Sequence, residues 1–230
     1  MRKYSDLTVN SNSWIKRFSH NRRFQFCIDI LKEIKFKNLL DFGAGDGHLI
    51  YELSKIYRKK FYYVYEPNKK LFLEAKQKLK QIKNVKFIKK NTIKKNYYDV
   101  ICINEVFEHL NSLEIEKVIN VIKNSIKKKK FVIISVPIEV GVSSIIKNLV
   151  RYLINQRHRN LTLINFIKSI FFIKIRRSNR KYDNSHIGFN YKNFIIILKS
   201  YNMNIIKIKY SPFNYLKSFC NSQVYFLIKF

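Results

Sequence analysis

Two kinds of segment alternate along the first 137 residues. Short, nearly unbroken apolar runs stand at residues 38–42, 61–65, 85–88, 98–103 and 131–136. Between them, apolar residues recur every three or four positions. This is so for Phe24, Ile28, Leu31 and Ile34 within residues 21–35, and again over 47–58, 68–82 (Leu71, Leu79, Ile82) and 112–127. The runs predict strands and the spaced segments predict amphipathic helices. The run at 131–136 predicts a fully buried fifth strand. Strands and helices that alternate on short connections build a parallel, doubly wound α/β sheet.

After Pro137 the alternation stops. Residues 140–180 are basic and apolar and predict inserted helices. Tyr191–Ser200 then predicts a helix, and 203–210 and 224–230 predict two strands with no long helix between them. Two such strands form an antiparallel pair on an otherwise parallel sheet. The pattern predicts one domain over 1–230, with 140–185 as an inserted helical lid or acceptor region. Leu149, Leu153, Ile164, Ile167, Ile170 and Phe171 form an apolar stripe there, with Arg151, Lys168, Arg176 and Arg177 around it. We expect such helices to bury one face against the sheet. The alternative is contact with a membrane or a lipid-linked acceptor.

Only five glycines occur in the chain, and three of them stand at Gly43, Gly45 and Gly47. They follow the strand Asn38–Phe42 and precede a helical pattern, with Asp46 expected to cap the helix. Glycine at such a turn lets the backbone bend tightly and lets a ligand approach closely. The order places a nucleoside cofactor at the first strand–helix turn of the sheet. A dinucleotide fingerprint has Gly-x-Gly-x-x-Gly. Here the third glycine comes one residue early, which disfavours a nicotinamide or flavin cofactor.

The segment Asp41-Phe42-Gly43-Ala44-Gly45-Asp46-Gly47 resembles motif I of the class I S-adenosylmethionine-dependent methyltransferases. Further positions agree with that resemblance. Glu66 ends the second strand about 20 residues on, where a carboxylate accepts ribose hydroxyls. Asn91 follows the third strand, where the family usually has Asp against the adenine amine. Tyr98–Asn104 resembles the fourth-strand motif, and Glu105-Val106-Phe107-Glu108-His109-Leu110 resembles the Glu-x-x-Glu-His-Leu segment of the small-molecule branch. The resemblance is strong over residues 25–136 and weaker over 185–230. It implies a Rossmann-like, seven-strand, mostly parallel sheet with a reversed last strand. It also implies S-adenosylmethionine as cofactor, held by Asp41, Gly43, Ala44, Gly45, Gly47, Glu66, Asn91, Asn104 and Glu105.

The sulfonium already activates the methyl group, so the protein must orient the acceptor and take its proton. His109, at the mouth of the site, and His186, in Ser185–Phe189, are the candidates. Glu105, Glu108 and His109 with His186 also resemble the magnesium or manganese set of small-RNA 2′-O-methyltransferases; we expect no metal here. The expected reaction is O-methyl transfer to a small-molecule or glycan- or lipid-linked acceptor, with peripheral membrane contact through 140–180 a possibility.

The net charge of +31 raises two rivals: an RNA methyltransferase, or a silent nucleic-acid-binding subunit of this fold. Lysine outnumbers arginine 35 to 11 and only two alanines occur, a skew typical of an A/T-rich genome. The cations are also spread as pairs, with local clusters at 127–130 and 174–181. Nucleic acid is therefore not the favoured partner. Cys27, Cys102 and Cys220 are odd in number and far apart, which excludes a disulfide framework and Cys-based zinc spacing. With a polar N-terminus and no apolar run of about 18 residues, the expectation is a cytoplasmic protein.

Overall fold

The computed structural model describes residues 14–141, 143–145, 163–171, 173, 175, 182, 188–219 and 221–230, with backbone alone for 14–20 and 163. The strands are β1 (Asn38–Phe42), β2 (Phe61–Tyr65), β3 (Val85–Phe87), β4 (Tyr98–Asn104), β5 (Ile126–Pro137), β6 (Asn204–Ser211) and β7 (Gln223–Lys229). The helices are α1 (Trp14–Lys32), α2 (His48–Ile56), α3 (Lys69–Leu79), α4 (Ser112–Ser125), α5 (Leu163–Ile170) and α6 (Tyr191–Ser200). The seven strands form one sheet in the order β3-β2-β1-β4-β5-β7-β6. β1 to β5 pair in parallel, and β7 runs antiparallel to both β5 and β6. This is the expected mostly parallel Rossmann-like sheet with a reversed last strand.

Every residue of β1 is buried, and so are all of β4 except Asn104. Strands covered on both faces are read as continuous apolar runs, which is why the sequence shows them so plainly. One face carries α4 and α6, through Val118, Ile119, Ile122, Phe194 and Leu198. The other face carries α1 and α2, through Cys27, Leu31, Leu49 and Leu53. Both described thiols, Cys27 and Cys102, are free and buried. No helix among the described residues is long and apolar enough to cross a membrane.

Most strand and helix ends fall within one or two residues of the sequence pattern, and four differences stand out. α1 begins seven residues earlier, at Trp14. α2 is capped by Gly47 in a left-handed conformation and not by Asp46, whose carboxylate accepts the His48 N–H from just upstream at 3.3 Å. α3 is shorter than expected and is capped by Asn68, which accepts the Lys70 and Leu71 N–H groups. β5 begins at Ile126 and carries the lysine run 127–130 on a bulge, where the register shifts between Tyr98 and Val100. Phe131 is consequently half-buried, so β5 is not buried throughout.

The expected apolar stripe is divided. Ile164 and Ile167 on α5, and Phe171 just after it, are exposed. Leu149, Leu153, Arg151, Arg176, Arg177, His186 and Cys220 lie outside the described residues.

Candidate active site

The glycine turn leaves β1 beside the end of β2. Gly43 and Ala44 donate their N–H groups to the Tyr65 carbonyl at 2.8 and 3.0 Å. Gly43 has φ +79, and a Cβ there would stand 2.5 Å from Val106 Cγ2, so both the backbone and its neighbour require glycine. Gly45, at φ +59, has nothing within 4 Å of where a Cβ would be. Its open side leaves the backbone accessible.

Acids surround this turn. The Gly45 N–H donates to Glu66 Oε2 at 2.7 Å, and the Asn68 N–H donates to Glu66 Oε1 at 2.8 Å. Burial pushes the Glu66 carboxyl up, against the pull of these two bonds. Asp41 is 2% exposed. Burial first, and then the charges of Glu66 and Asp46, push its carboxyl up to about 8. Asp46 pairs with Lys78 from α3.

The end of β4 closes the other side. Asn104 Oδ1 accepts the Ser135 hydroxyl at 3.0 Å. Glu105 follows with a left-handed φ of 56, uncommon for a residue with a side chain. Its carboxylate meets Arg23 Nη1 at 2.8 Å. Arg23 reaches in from α1, and the Tyr225 hydroxyl lies 2.8 Å from the Arg23 carbonyl and 2.9 Å from Gln223 Oε1. Arg23, Asp41, Gly43, Gly45, Asn104 and Glu105 line a solvent-open cleft.

Past the cleft rim, a 3-10 turn spans Phe107–His109. Glu108 is fully buried. The His109 ring stacks on Tyr182, centroids 4.8 Å apart, with Nε2 3.9 Å from Glu108 Oε1. Leu110 and Tyr182 form an isolated antiparallel bridge, which fastens this part of the insertion to the turn. Burial and then the charges of Glu108 and Glu66 push the Tyr182 phenol up.

The structure therefore gathers Asp41, Gly43, Ala44, Gly45, Asn104 and Glu105 in one cleft, with Glu66 joined through the Gly45 amide. Gly47 packs against Ala75 and Leu79, away from the cleft. Asn91 is exposed on a 3-10 turn after β3 and is not among the cleft-lining residues. His109 sits beyond the rim, and His186 is outside the described residues. Among the described residues no group of three or more His, Cys, Asp and Glu is placed to hold a metal. Sequence reasoning missed Arg23, Gln223 and Tyr182. Arg23 is one of 46 cations, and only the packing of α1 over the cleft singles it out.

Residues 18–171 match the methyltransferase domain family. The chain belongs to this family. It is a class I S-adenosylmethionine-dependent methyltransferase. No curated protein matches the chain in sequence. Among solved structures, the methyltransferase resembles the methyltransferase domain of bacterial CtHen1 at 15% identity and TM-score 0.62, covering 91% of this chain and 98% of that one. It resembles the PH0226 protein of Pyrococcus horikoshii OT3 at 13% identity and TM-score 0.64, over 100% and 99% of the two chains. It also resembles the N-methyltransferase NodS of Bradyrhizobium japonicum WM9 at 9% identity and TM-score 0.57, over 91% and 94%. At these identities the likeness is one of fold.

Proposed function

We propose that this methyltransferase moves the methyl group of S-adenosylmethionine to a hydroxyl oxygen of a small-molecule or glycan- or lipid-linked acceptor in the cytoplasm. The composition of the cleft supports the cofactor half of this reading. Arg23 is its cation, paired with Glu105 at 2.8 Å, and Asp41 lies at the foot of the glycine turn. An amino acid zwitterion that also carries a sulfonium needs one cation and more than one anion nearby. When bound, S-adenosylmethionine supplies a methyl group already activated by its sulfonium.

The residues then divide the work. Arg23 holds the amino acid carboxylate, and Asp41 and Glu105 face the ammonium. Gly43, Ala44 and Gly45 let the backbone lie against the ligand. Glu66 accepts the ribose hydroxyls with the lone pairs that the Gly45 and Asn68 amides leave open. On the acceptor side the observation that carries the reading is the His109–Glu108 pair beside Tyr182. His109 takes the hydroxyl proton as the oxygen–methyl bond forms and the sulfur–methyl bond breaks. Glu108, without water around it, supplies the counter-charge to that proton. Tyr182 keeps the imidazole flat against the mouth. A structure of NodS is known with S-adenosyl-L-homocysteine, which makes that product the natural probe.

The test uses S-adenosylmethionine labelled in its methyl group, with fractionated cell extract as acceptor. Label is expected in the lipid and small-molecule fractions, and label in the RNA fraction would overturn the acceptor assignment. His109→Ala should lower transfer about 100-fold or more while S-adenosyl-L-homocysteine still binds. Arg23→Ala should weaken that binding about tenfold to 100-fold.

A further inference from the structure

The charges of this chain are segregated. Fourteen of the fifteen acids precede Val140. From Val140 to Phe230 there are sixteen Lys and Arg and a single acid, Asp183; from Val140 to Lys181 there are ten Lys and Arg and no acid. A codon skew toward lysine raises the cation count everywhere, but it does not clear one stretch of acids.

The fold brings the start of this stretch to the cofactor end of the sheet. β5 ends at Pro137, which pairs with Gln223 at the start of β7, and Gln223 lines the cleft. The start of the insertion after β5 and the end of the β6–β7 connection therefore lie beside the site. In the insertion, α5 has its polarity reversed. Its buried face carries Ser169, whose hydroxyl is 3.0 Å from that of Ser144 and whose carbonyl accepts the Gly141 N–H at 2.9 Å. Ile164 and Ile167, with Phe171 just past the last turn at i+7, share the opposite side. They are exposed by 65%, 45% and 69%. A surface helix ordinarily does the reverse, hiding its large apolar residues and showing its serines. The Ser143 hydroxyl donates to the Phe219 carbonyl at 2.9 Å, which ties the β6–β7 connection to the insertion. That connection exposes Tyr215 by 78% and Phe219 by 56%.

We propose that this face lies on an anionic membrane surface, and that the methyl acceptor is an amphiphile held in that membrane. The second half rests on the methyltransferase reading above. Exposed aliphatic and aromatic side chains, in a part of the chain whose sequence from Val140 on holds sixteen Lys and Arg and one acid, are what an interfacial helix presents to anionic lipid. A nucleic acid fits less well. Phe171, Tyr215 and Phe219 carry rings on which a base could stack, but Ile164 and Ile167 give a nucleic acid neither a ring nor a charge, whereas a lipid surface takes all five side chains.

The test is sedimentation of the full chain with vesicles of phosphatidylcholine alone, and with vesicles of equal parts phosphatidylcholine and phosphatidylglycerol. The protein should pellet with the anionic vesicles only, and raised salt should release it. The triple variant Ile164→Ser, Ile167→Ser, Phe171→Ser should bind those vesicles about tenfold or more weakly. Its affinity for S-adenosyl-L-homocysteine, by calorimetry, should equal that of the parent. Normal homocysteine-product binding with no vesicle binding overturns the membrane proposal and leaves the methyltransferase reading intact. So does vesicle binding unchanged in the triple variant, or tighter binding to single-stranded RNA than to the vesicles. Loss of S-adenosyl-L-homocysteine binding in the parent overturns the methyltransferase reading, and with it the amphiphile acceptor, whatever the vesicles do.

Discussion

Asp41 shows how one buried side chain links stability to the cofactor. Its carboxyl is pushed up to about 8 by burial and by Glu66 and Asp46, so it holds a proton at neutral pH. In the unfolded chain it loses that proton near pH 4. Between these values the folded state binds more protons, so stability falls as pH rises, by up to roughly 1.4 kcal/mol per pH unit. The contribution is complete below about pH 4 and gone once the pH has passed the folded value. Asp41→Asn should flatten this slope, as read by denaturant unfolding from pH 5 to 9; an unchanged slope would move the titration to another group. A cationic ligand favours the ionised form, so the parent should bind S-adenosylmethionine more tightly as pH rises toward 9, and the variant should not. Asp41 and the three glycines were legible because spacing alone makes such a turn. Arg23 was not, since its role exists only where α1 crosses the cleft, 18 positions before Asp41 in sequence.

At the level of elements, Asp99 secures the start of three strands. Its carboxylate accepts the Lys37 and Asn38 N–H groups at 2.9 Å each and meets Lys127 at 3.0 Å. Burial alone would raise its carboxyl, but the two amides and the lysine outweigh burial and hold it below the usual carboxylate range. Such a group stabilises the fold above its unfolded value, and the contribution disappears as pH falls through the folded one. Asp99→Asn should cost about 1–3 kcal/mol at neutral pH and little near pH 2. A urea titration at both pH values checks this, and an equal loss at both would mean that packing and not charge is at work. The same residues explain what was hidden in the sequence. β1 and β2 were readable to the residue because both faces are covered and the runs are apolar. The early start of β5 was masked by its lysines, which look like a loop until Asp99 is seen opposite them. The outward turn of α5 was equally hidden, because its apolar spacing is the same whether that face meets a core or a lipid surface.

For the whole molecule, the charge of +31 is a standing repulsion among groups that the fold holds close. Salt at about 0.3 M shortens the reach of these charges several-fold relative to about 0.01 M. The melting temperature should rise by a few degrees over that range, measured by scanning fluorimetry; a fall would mean that attractive pairs such as Lys127 with Asp99 outweigh the net charge. The order of the strands has a separate effect, on biosynthesis. β7 leaves the ribosome after β6 yet occupies the slot between β5 and β6. Until it emerges, the edge of β5 stands open over Val132–Val136, a run with no charged residue. An unpaired apolar edge invites pairing with another chain. The nascent protein therefore exposes this edge late in synthesis, with five of the seven strands in place and β6 still waiting for its only partner.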